Sequence, residues 1–410
     1  MVEGGFRAVS RCDELAVQPF SDSPEGLTRT YLSPAYYAAQ DKLAQWMAEA
    51  GMSVRRDAAM NLIGRYEASA PDAPALIIGS HLDSVRNAGH YDGPLGIMLG
   101  IEVVAALSSA GVRMPFAIEV YAFGDEEGSR FPAAMLTSRA VAGTLDPVTL
   151  DVADRDGVML GELVDIAAYP SAKRAPESVL AYLEAHIEQG PVLEAQGLAI
   201  GTVTGIAAQL RFEIEVGGTA GHAGTTAMDL RRDAVAGMAA MVLAAESVAT
   251  AGPADLVATV GVVQVHLGAA NVVSGKCSFT LDVRAGVATR RDAAADEILR
   301  LFREIANLRD LCLSVRKVHD LPASPCDPAL MDLLDKATGA ASQTPFRLVS
   351  GAGHDAMIMA TLCPTAMLFI RCRGGVSHNP AEHVDPADAE VALRVMLGFI
   401  EQLGATFDPA

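Results

Sequence analysis

Short apolar runs and amphipathic segments alternate along the first third of the chain. Residues 75–79 and 116–123 are largely apolar runs of strand length, as expected for strands buried on both faces of a parallel sheet. Between them, residues 94–111 have helical composition and end at a glycine. An earlier segment, residues 33–51, predicts the first helix, with a serine cap, a proline at the first position and a closing glycine. This order predicts an α/β fold that places ligands beyond the carboxyl ends of its strands.

The pattern changes in the middle of the chain. Residues 210–216 alternate between apolar and charged side chains, which predicts a strand with one solvated face. The order strand, helix, strand, strand, helix, strand is ferredoxin-like. It is predicted over residues 210–216, 229–250, 257–266, 277–285, 289–308 and 311–318.

The α/β pattern returns after this segment. It predicts helices at 328–339, after 350–356 and at 386–403, a strand near 346 and another at 366–372. The sequence therefore predicts an α/β domain, a mixed sheet flanked by helices, formed by residues 1–206 and 321–410. An α+β domain of residues 207–320 interrupts it.

Composition excludes several classes of protein. The 410 residues carry a formal net charge of −19, which disfavours nucleic acid and anionic membranes as partners. The sequence has no apolar run long enough for a transmembrane helix and no secretory signal, so a cytoplasmic protein is expected. The six cysteines are scattered without a CxxC pair, which indicates reduced thiols.

Histidines and carboxylates cluster in five short segments that mostly follow predicted strands. Imidazole with carboxylate is a ligand set for zinc, manganese, cobalt or nickel. Each segment alone is also compatible with a solvated surface, and their shared placement favours a metal site. The segments contain His81 and Asp83; His90 and Asp92; Asp125, Glu126 and Glu127; His186 and Glu188; and His378, Glu382 and His383.

Six motifs, in this order, resemble the M20 metallopeptidase superfamily and, within it, the hydantoinase/carbamoylase branch. They read GSHLDSVRNAGHYDGPLGI, GDEEGSRF, YLEAHIEQGPVLE, GTAGHAGTTAMDLRRDA, SGAGHDA and GGVSHNPAEHV. The branch contains N-carbamoyl-L-amino acid hydrolases, β-ureidopropionases and allantoate amidohydrolases. The resemblance implies a di-metal catalytic domain and a smaller lid or dimerisation domain, hence a homodimer formed through the insertion.

The resemblance also implies roles for residues of the site. Asp92 would bridge two divalent ions, zinc, manganese, cobalt or nickel, and Asp83 would orient the imidazole of His81. Glu126 would be the general base that activates water. The implied metal ligands are His81, Asp92, Glu127, His186 and His378.

Further matches concern the substrate. His222 would stabilise an oxyanion across the dimer, although an ordinary loop histidine is the alternative. Arg284 would bind a carboxylate, and a surface ion pair is the alternative. His354 and Asp355 would lie near the substrate, and a helix cap is a comparable interpretation. The implied substrate-binding residues are Gln189, His222, Asn271, Arg284 and His354.

The predicted function is metal-dependent hydrolysis of a small anionic ureido acid that releases ammonia and carbon dioxide. The segments EEGSRFP and SRAVAGT favour allantoate, which would place the enzyme in purine catabolism, and leave N-carbamoyl-L-amino acids and β-ureidopropionate open. An M20 aminopeptidase or dipeptidase is less supported, because His186 stands where such peptidases usually have Asp. A binding module without chemistry would have lost a ligand or the base, and all six residues are present.

Overall fold

The computed structural model describes residues 4–407. The α-helices are α1 (Gly4–Glu14), α2 (Pro34–Glu49), α3 (Pro94–Ser109), α4 (Leu136–Ala142), α5 (Leu160–Leu163), α6 (Val192–Gln196), α7 (Ala234–Ala251), α8 (Ala288–Leu308), α9 (Pro328–Ala340), α10 (Asp355–Met359) and α11 (Pro386–Thr406). The strands are β1 (Ser53–Arg56), β2 (Leu62–Tyr66), β3 (Ala75–His81), β4 (Ala117–Phe123), β5 (Val179–Ile187), β6 (Ile200–Ile206), β7 (Ala208–Gly217), β8 (Gly221–His222), β9 (Val257–Thr259), β10 (Val263–Val265), β11 (Val272–Val273), β12 (Lys276–Ala285), β13 (Cys312–Leu321), β14 (Ser324–Pro325), β15 (Arg347–Ser350) and β16 (Thr365–Ile370).

The chain divides into two compact units. The smaller unit contains residues 205–325 together with the short segment 349–351. The larger unit contains the described residues on either side, 4–204, 326–348 and 352–407.

A mixed sheet forms the centre of the larger unit. Its strand order is β1-β2-β4-β3-β5-β16-β6, and the four strands β4, β3, β5 and β16 run parallel to one another. β1, β2 and β6 pair antiparallel at the two sides. Every residue of β3 and β4 is buried, which explains their continuous apolar sequences.

Local signals placed the helices of this unit well. The Ser33 side chain accepts a hydrogen bond from the Tyr36 N–H (3.2 Å) and caps α2. Gly51 and Gly111 follow α2 and α3 with positive φ, as predicted. The expectation that α2 is the first helix was wrong, since α1 precedes it. The apolar pattern does not predict α1, because its buried face is narrow and made mostly of small side chains. Its two arginines bind the buried carboxylate of Glu102.

The smaller unit has a separate antiparallel sheet of order β10-β12-β7-β13, with β9 also paired to β12. The predicted alternation in β7 is confirmed, because its apolar side chains are buried and the charged ones between them are exposed. α7 and α8 share one core with that apolar face. Two details were wrong. The segment 257–266 forms two short strands instead of one, and α7 begins at Ala234 because Asp233 caps it.

Two expectations from composition concern membrane-spanning helices and the state of the cysteines. Among residues 4–407, α7 is the one helix with the length and apolar composition of a membrane span. Its Met238, Met241 and Ala245 side chains are buried in the core of the smaller unit. All six cysteines are free thiols, and Cys312 is the exposed one.

Candidate functional site

Four parallel strands of the larger unit end at one edge of its sheet, and the predicted ligands follow them. His81 is the last residue of β3, and His186 is the second-last residue of β5. Glu126 comes three residues after β4, and His378 comes from the loop that follows β16. Because parallel strands bring their carboxyl ends together, side chains distant in sequence meet here.

Asp92 is the centre of the cluster. Its Oδ1 lies 3.1 Å from Nε2 of His186 and 3.5 Å from Nε2 of His81, and its Oδ2 lies 3.1 Å from Nε2 of His378. The same His378 nitrogen lies 3.1 Å from Oε1 of Glu127. The structure therefore brings all five predicted ligands together, in overlapping groups whose donor atoms lie within 4.8 Å of one another.

A glycine permits this close approach. Gly93 precedes α3 with φ +87°, in the left-handed region that side chains rarely adopt. A Cβ at this position would lie 2.5 Å from Cε1 of His81 and 2.5 Å from its carbonyl oxygen. The loop that carries Asp92 can therefore pack directly on the end of β3 only with glycine here.

Charge pairing dominates the electrostatics of the cluster. Hydrogen bonds to Asp92 and Glu127 raise the pKa of His378 to about 10. Burial opposes protonation of His81, but contact with Asp92 and nearby carboxylates raises its pKa well above the usual value. Burial also opposes ionisation of Asp92, yet its three imidazole partners hold its pKa well below the usual value. Three imidazoles and two carboxylates converging in this way fit divalent cations, which would replace the protons.

A cavity of about 210 Å³ opens onto the cluster. Glu126 and Gln189 contribute polar groups to its wall, and Met135 and Gly353 contribute apolar ones. The Glu126 side chain is 7% exposed, and burial raises its pKa well above the usual value. A carboxylate with a raised pKa accepts a proton more readily than an ordinary carboxylate, as a general base must.

Asp83 has a different contact from the one expected. Its carboxylate accepts hydrogen bonds from the backbone N–H groups of Glu126 (3.2 Å) and Glu127 (3.4 Å). Nδ1 of His81 lies 2.9 Å from the Asp83 carbonyl oxygen instead of the carboxylate. Asp83 therefore contacts His81 through its carbonyl oxygen and not, as expected, through its carboxylate, which binds two N–H groups at the end of the neighbouring strand.

Two predicted substrate residues lie beside the cluster. Nε2 of Gln189 donates to Oδ2 of Asp92 (2.8 Å). His354 is buried, and its ring centroid lies 4.5 Å from that of His186. His354 is at the N-cap position of α10, as the helix-cap interpretation expected, although its side chain makes no capping bond. Asp355 is buried at the start of α10.

The other three predicted residues belong to the smaller unit. His222 is exposed on β8, and the Ala223 N–H donates to the Asn271 carbonyl (2.8 Å), so His222 and Asn271 are neighbours. Arg284 is bound by Oδ1 of Asp282 (2.8 Å) and by the Gly351 carbonyl (2.5 Å). The ion pair anticipated as the alternative for Arg284 is therefore present.

Sequence reasoning assigned no role to two buried glutamates. Oε1 of Glu382 accepts the backbone N–H groups of Tyr91 (2.7 Å) and Asp92 (3.1 Å). Oε2 of Glu184 accepts from the Tyr182 hydroxyl (3.0 Å) and the Ala356 N–H (2.8 Å). A charged residue inside a buried strand, two positions before His186, was the available signal for Glu184.

Comparisons with known proteins agree with this site. The model of peptidase family M20/M25/M40 matches residues 77–402. The N-carbamoyl-L-amino acid amidohydrolase of Geobacillus stearothermophilus is 41% identical over 92% of this chain and 93% of its own. The allantoate deiminase of Arabidopsis thaliana is 38% identical over 96% of this chain and 81% of its own. The crystal structure of a hydantoinase/carbamoylase family amidase from Burkholderia multivorans superposes with a TM-score of 0.93 at 32% identity, covering 99% and 98% of the two chains.

Fold, site and relatives together define a hydrolase of carbon–nitrogen bonds outside peptides. The chain belongs to the peptidase family M20/M25/M40, as its motifs predicted.

Proposed function

We propose that this enzyme hydrolyses the carbamoyl group of a small, anionic, linear ureido acid. Water and the ureido group R–NH–CO–NH2 would give the amine R–NH2, carbon dioxide and ammonia. The observation that carries the proposal is that the side chains of the five predicted metal ligands, Asp92 among them, lie together, with Glu126 in the wall of the same cavity. Relatives that act on N-carbamoyl amino acids and on allantoate support the substrate class.

We infer that His81, Asp92, Glu127, His186 and His378 hold two divalent ions. When bound, these ions would polarise the ureido carbonyl and lower the pKa of a water molecule. The donor set is compatible with zinc, manganese, cobalt or nickel.

Glu126 has the central proton-transfer role in this proposal. Its carboxylate takes a proton from the attacking water and returns it to the departing nitrogen. Asp83 supports this role, because it holds the backbone of both Glu126 and Glu127 and so separates the base from the neighbouring ligand.

The remaining side chains are proposed to recognise the substrate. Arg284 would bind its carboxylate, and Asn271, Gln189 and His354 would contact its polar groups. His222 would stabilise the oxyanion from the partner chain of a homodimer. The six free cysteines are compatible with a cytoplasmic setting, where thiols stay reduced.

Allantoate is the favoured substrate, because several relatives in the comparison are named allantoate deiminases. N-carbamoyl-L-amino acids are the second candidate. The relative that is 41% identical favours them, since it is named for that activity.

A substrate panel on a single preparation tests the proposal. Ammonia release is measured with allantoate, N-carbamoyl-L-amino acids, N-carbamoyl-β-alanine and a dipeptide, beside metal content. Glu126→Gln should abolish turnover while metal content stays near that of the wild type. Glu188→Gln is the matched control, because Glu188 accepts two backbone N–H groups of α6 and does not line the cavity. Dipeptide hydrolysis without ureido turnover would reject the proposed substrate class, and an active Glu126→Gln would reject the base.

A further inference from the structure

We propose that Glu382 is a positioning residue that fixes the Asp92 loop and the His378 loop relative to each other, and thereby sets the affinity of the metal centre. The inference rests on the proposed function, since it takes Asp92 and His378 as ligands. Glu382 itself contacts neither substrate nor metal in this proposal, and it acts through the backbone and through Ser377.

One side chain joins two loops that are far apart in sequence. Oε1 of Glu382 accepts the N–H groups of Tyr91 (2.7 Å) and Asp92 (3.1 Å), about 290 residues away. Oε2 lies 3.1 Å from the hydroxyl of Ser377, which also contacts the carboxylate of Asp92. The Glu382 N–H donates to the Asn379 carbonyl (3.0 Å), which closes the turn that carries His378. Both loops are therefore tied to the same carboxylate.

Packing leaves this carboxylate little freedom. Glu382 is 5% exposed, and it lies directly against the backbone at Gly89. A Cβ on Gly89 would lie 2.3 Å from Cβ and 2.3 Å from Cδ of Glu382. A methyl group at position 89 must therefore displace either the glutamate or the Asp92 loop.

The hydrogen bonds of Glu382 fix the backbone of a predicted metal ligand, so their loss should affect the metal site more than the stability of the fold. The backbone of Asp92 lies outside any strand, so the sheet does not fix it directly. Its side chain nevertheless meets His378 at 3.1 Å, and a metal site tolerates only small errors in ligand position. Partners that orient ligands typically change metal affinity by about 10- to 100-fold when they are removed.

The experiment compares Glu382→Ala, Glu382→Gln and Gly89→Ala with a control of similar bonding. Asp57→Asn is that control. The Asp57 carboxylate accepts the N–H groups of Ala59 (2.9 Å) and Asn61 (2.9 Å) and the Asn61 side-chain amide (2.8 Å), in the turn between β1 and β2. For each protein, the dissociation constant for Mn²⁺ is measured by chelator competition on metal-free chain, together with Tm, kcat and KM on allantoate and N-carbamoyl-L-amino acids.

We expect Glu382→Ala to raise the Mn²⁺ Kd by about 10- to 100-fold. We expect Gly89→Ala to act in the same direction, and Glu382→Gln to have a smaller effect because its amide oxygen still accepts a hydrogen bond. At saturating Mn²⁺, kcat should fall more than KM rises. Asp57→Asn should leave the Kd within twofold of wild type even where its Tm falls.

An unchanged Kd in the Glu382 variants would overturn the inference, as would an equal rise in Asp57→Asn. If Glu382→Ala does not fold, Glu382→Gln and Gly89→Ala decide the matter by the same criteria. The failure of the proposed function is distinguishable. Wild-type chain that binds no Mn²⁺ would overturn both proposals. If the wild type binds Mn²⁺ and hydrolyses ureido acids, and the Glu382 and Gly89 variants have the same Mn²⁺ Kd, only the present inference is overturned.

Discussion

Replacing Arg29 by methionine should destabilise the larger unit by about 4 kcal/mol. The Arg29 guanidinium is fully buried and donates to the carbonyl groups of Leu82 (2.8 Å), Leu15 (2.7 Å) and Phe20 (3.2 Å). Burial lowers its pKa to about 10, so it stays charged at neutral pH. Its backbone also exchanges hydrogen bonds with Ser84, so Arg29 supports the loop that follows β3.

The magnitude follows from the groups that methionine leaves without partners. Each buried carbonyl that loses its donor costs about 1–3 kcal/mol, and three are affected. The variant no longer buries a charge, and this relief offsets part of the loss. A net cost of about 4 kcal/mol is within the range of a broken buried network.

Trp46 provides the assay, because it is the single tryptophan of the chain and is buried in the larger unit. Its fluorescence during urea unfolding therefore reports that unit. With an m-value of about 3 kcal/mol/M, the midpoint should fall by roughly 1 M. Arg347→Met is the control, since Arg347 forms exposed ion pairs with Asp332 and Asp335 and should cost less than about 1 kcal/mol. A change below about 1 kcal/mol in Arg29→Met at unchanged m would refute the reasoning, because desolvation would then cancel the hydrogen bonds.

Three further predictions concern the titration, the thiols and the charge. Contact with carboxylates raises the pKa of His378 to about 10, so a metal ion must displace its proton. Mn²⁺ affinity should therefore increase about tenfold per pH unit for each displaced proton between pH 6 and 9. Affinity independent of pH in chelator competition would contradict this. Cys312 is the exposed thiol, so one thiol per chain should react rapidly with a thiol reagent in the native state and six after unfolding; several rapid thiols would argue against the described burial. With a net charge of −19 and the anionic substrate proposed above, long-range attraction is absent, so KM should not increase steeply with salt. A steep increase in initial-rate assays would show steering by local positive charge.

Local signals made much of the fold predictable. The caps of α2, the glycine after α3 and the apolar runs of β3 and β4 all depend on neighbouring residues, and these elements were placed correctly. β5 was not predicted, because its sequence carries Glu184 and His186 in a strand that is almost wholly buried. Here the requirements of the site override the apolar pattern of a central strand.

The site was predictable in its residue types but not in its contacts. Histidines and carboxylates after strands predicted the cluster around Asp92, because few other side chains bind divalent metals. The hydrogen bond that the Glu126 N–H donates to Asp83 depends on the parallel register of β3 and β4, and no local pattern encodes that register. The same holds for Glu382, whose contacts with the Tyr91 and Asp92 N–H groups join residues about 290 positions apart.

The topology gives these distant contacts a common cause. β16 lies between β5 and β6 in the sheet, so the segment after the smaller unit completes the centre of the larger one. His378 follows β16 and reaches Asp92 only once that strand is in place. The predicted ligands come from segments before and after residues 205–325 in the sequence. Ions held by all of them would bind the folded sheet and not a form that lacks β16. Their binding energy would therefore stabilise the sheet with β16 in place. Metal binding and the completion of the fold would then be thermodynamically coupled.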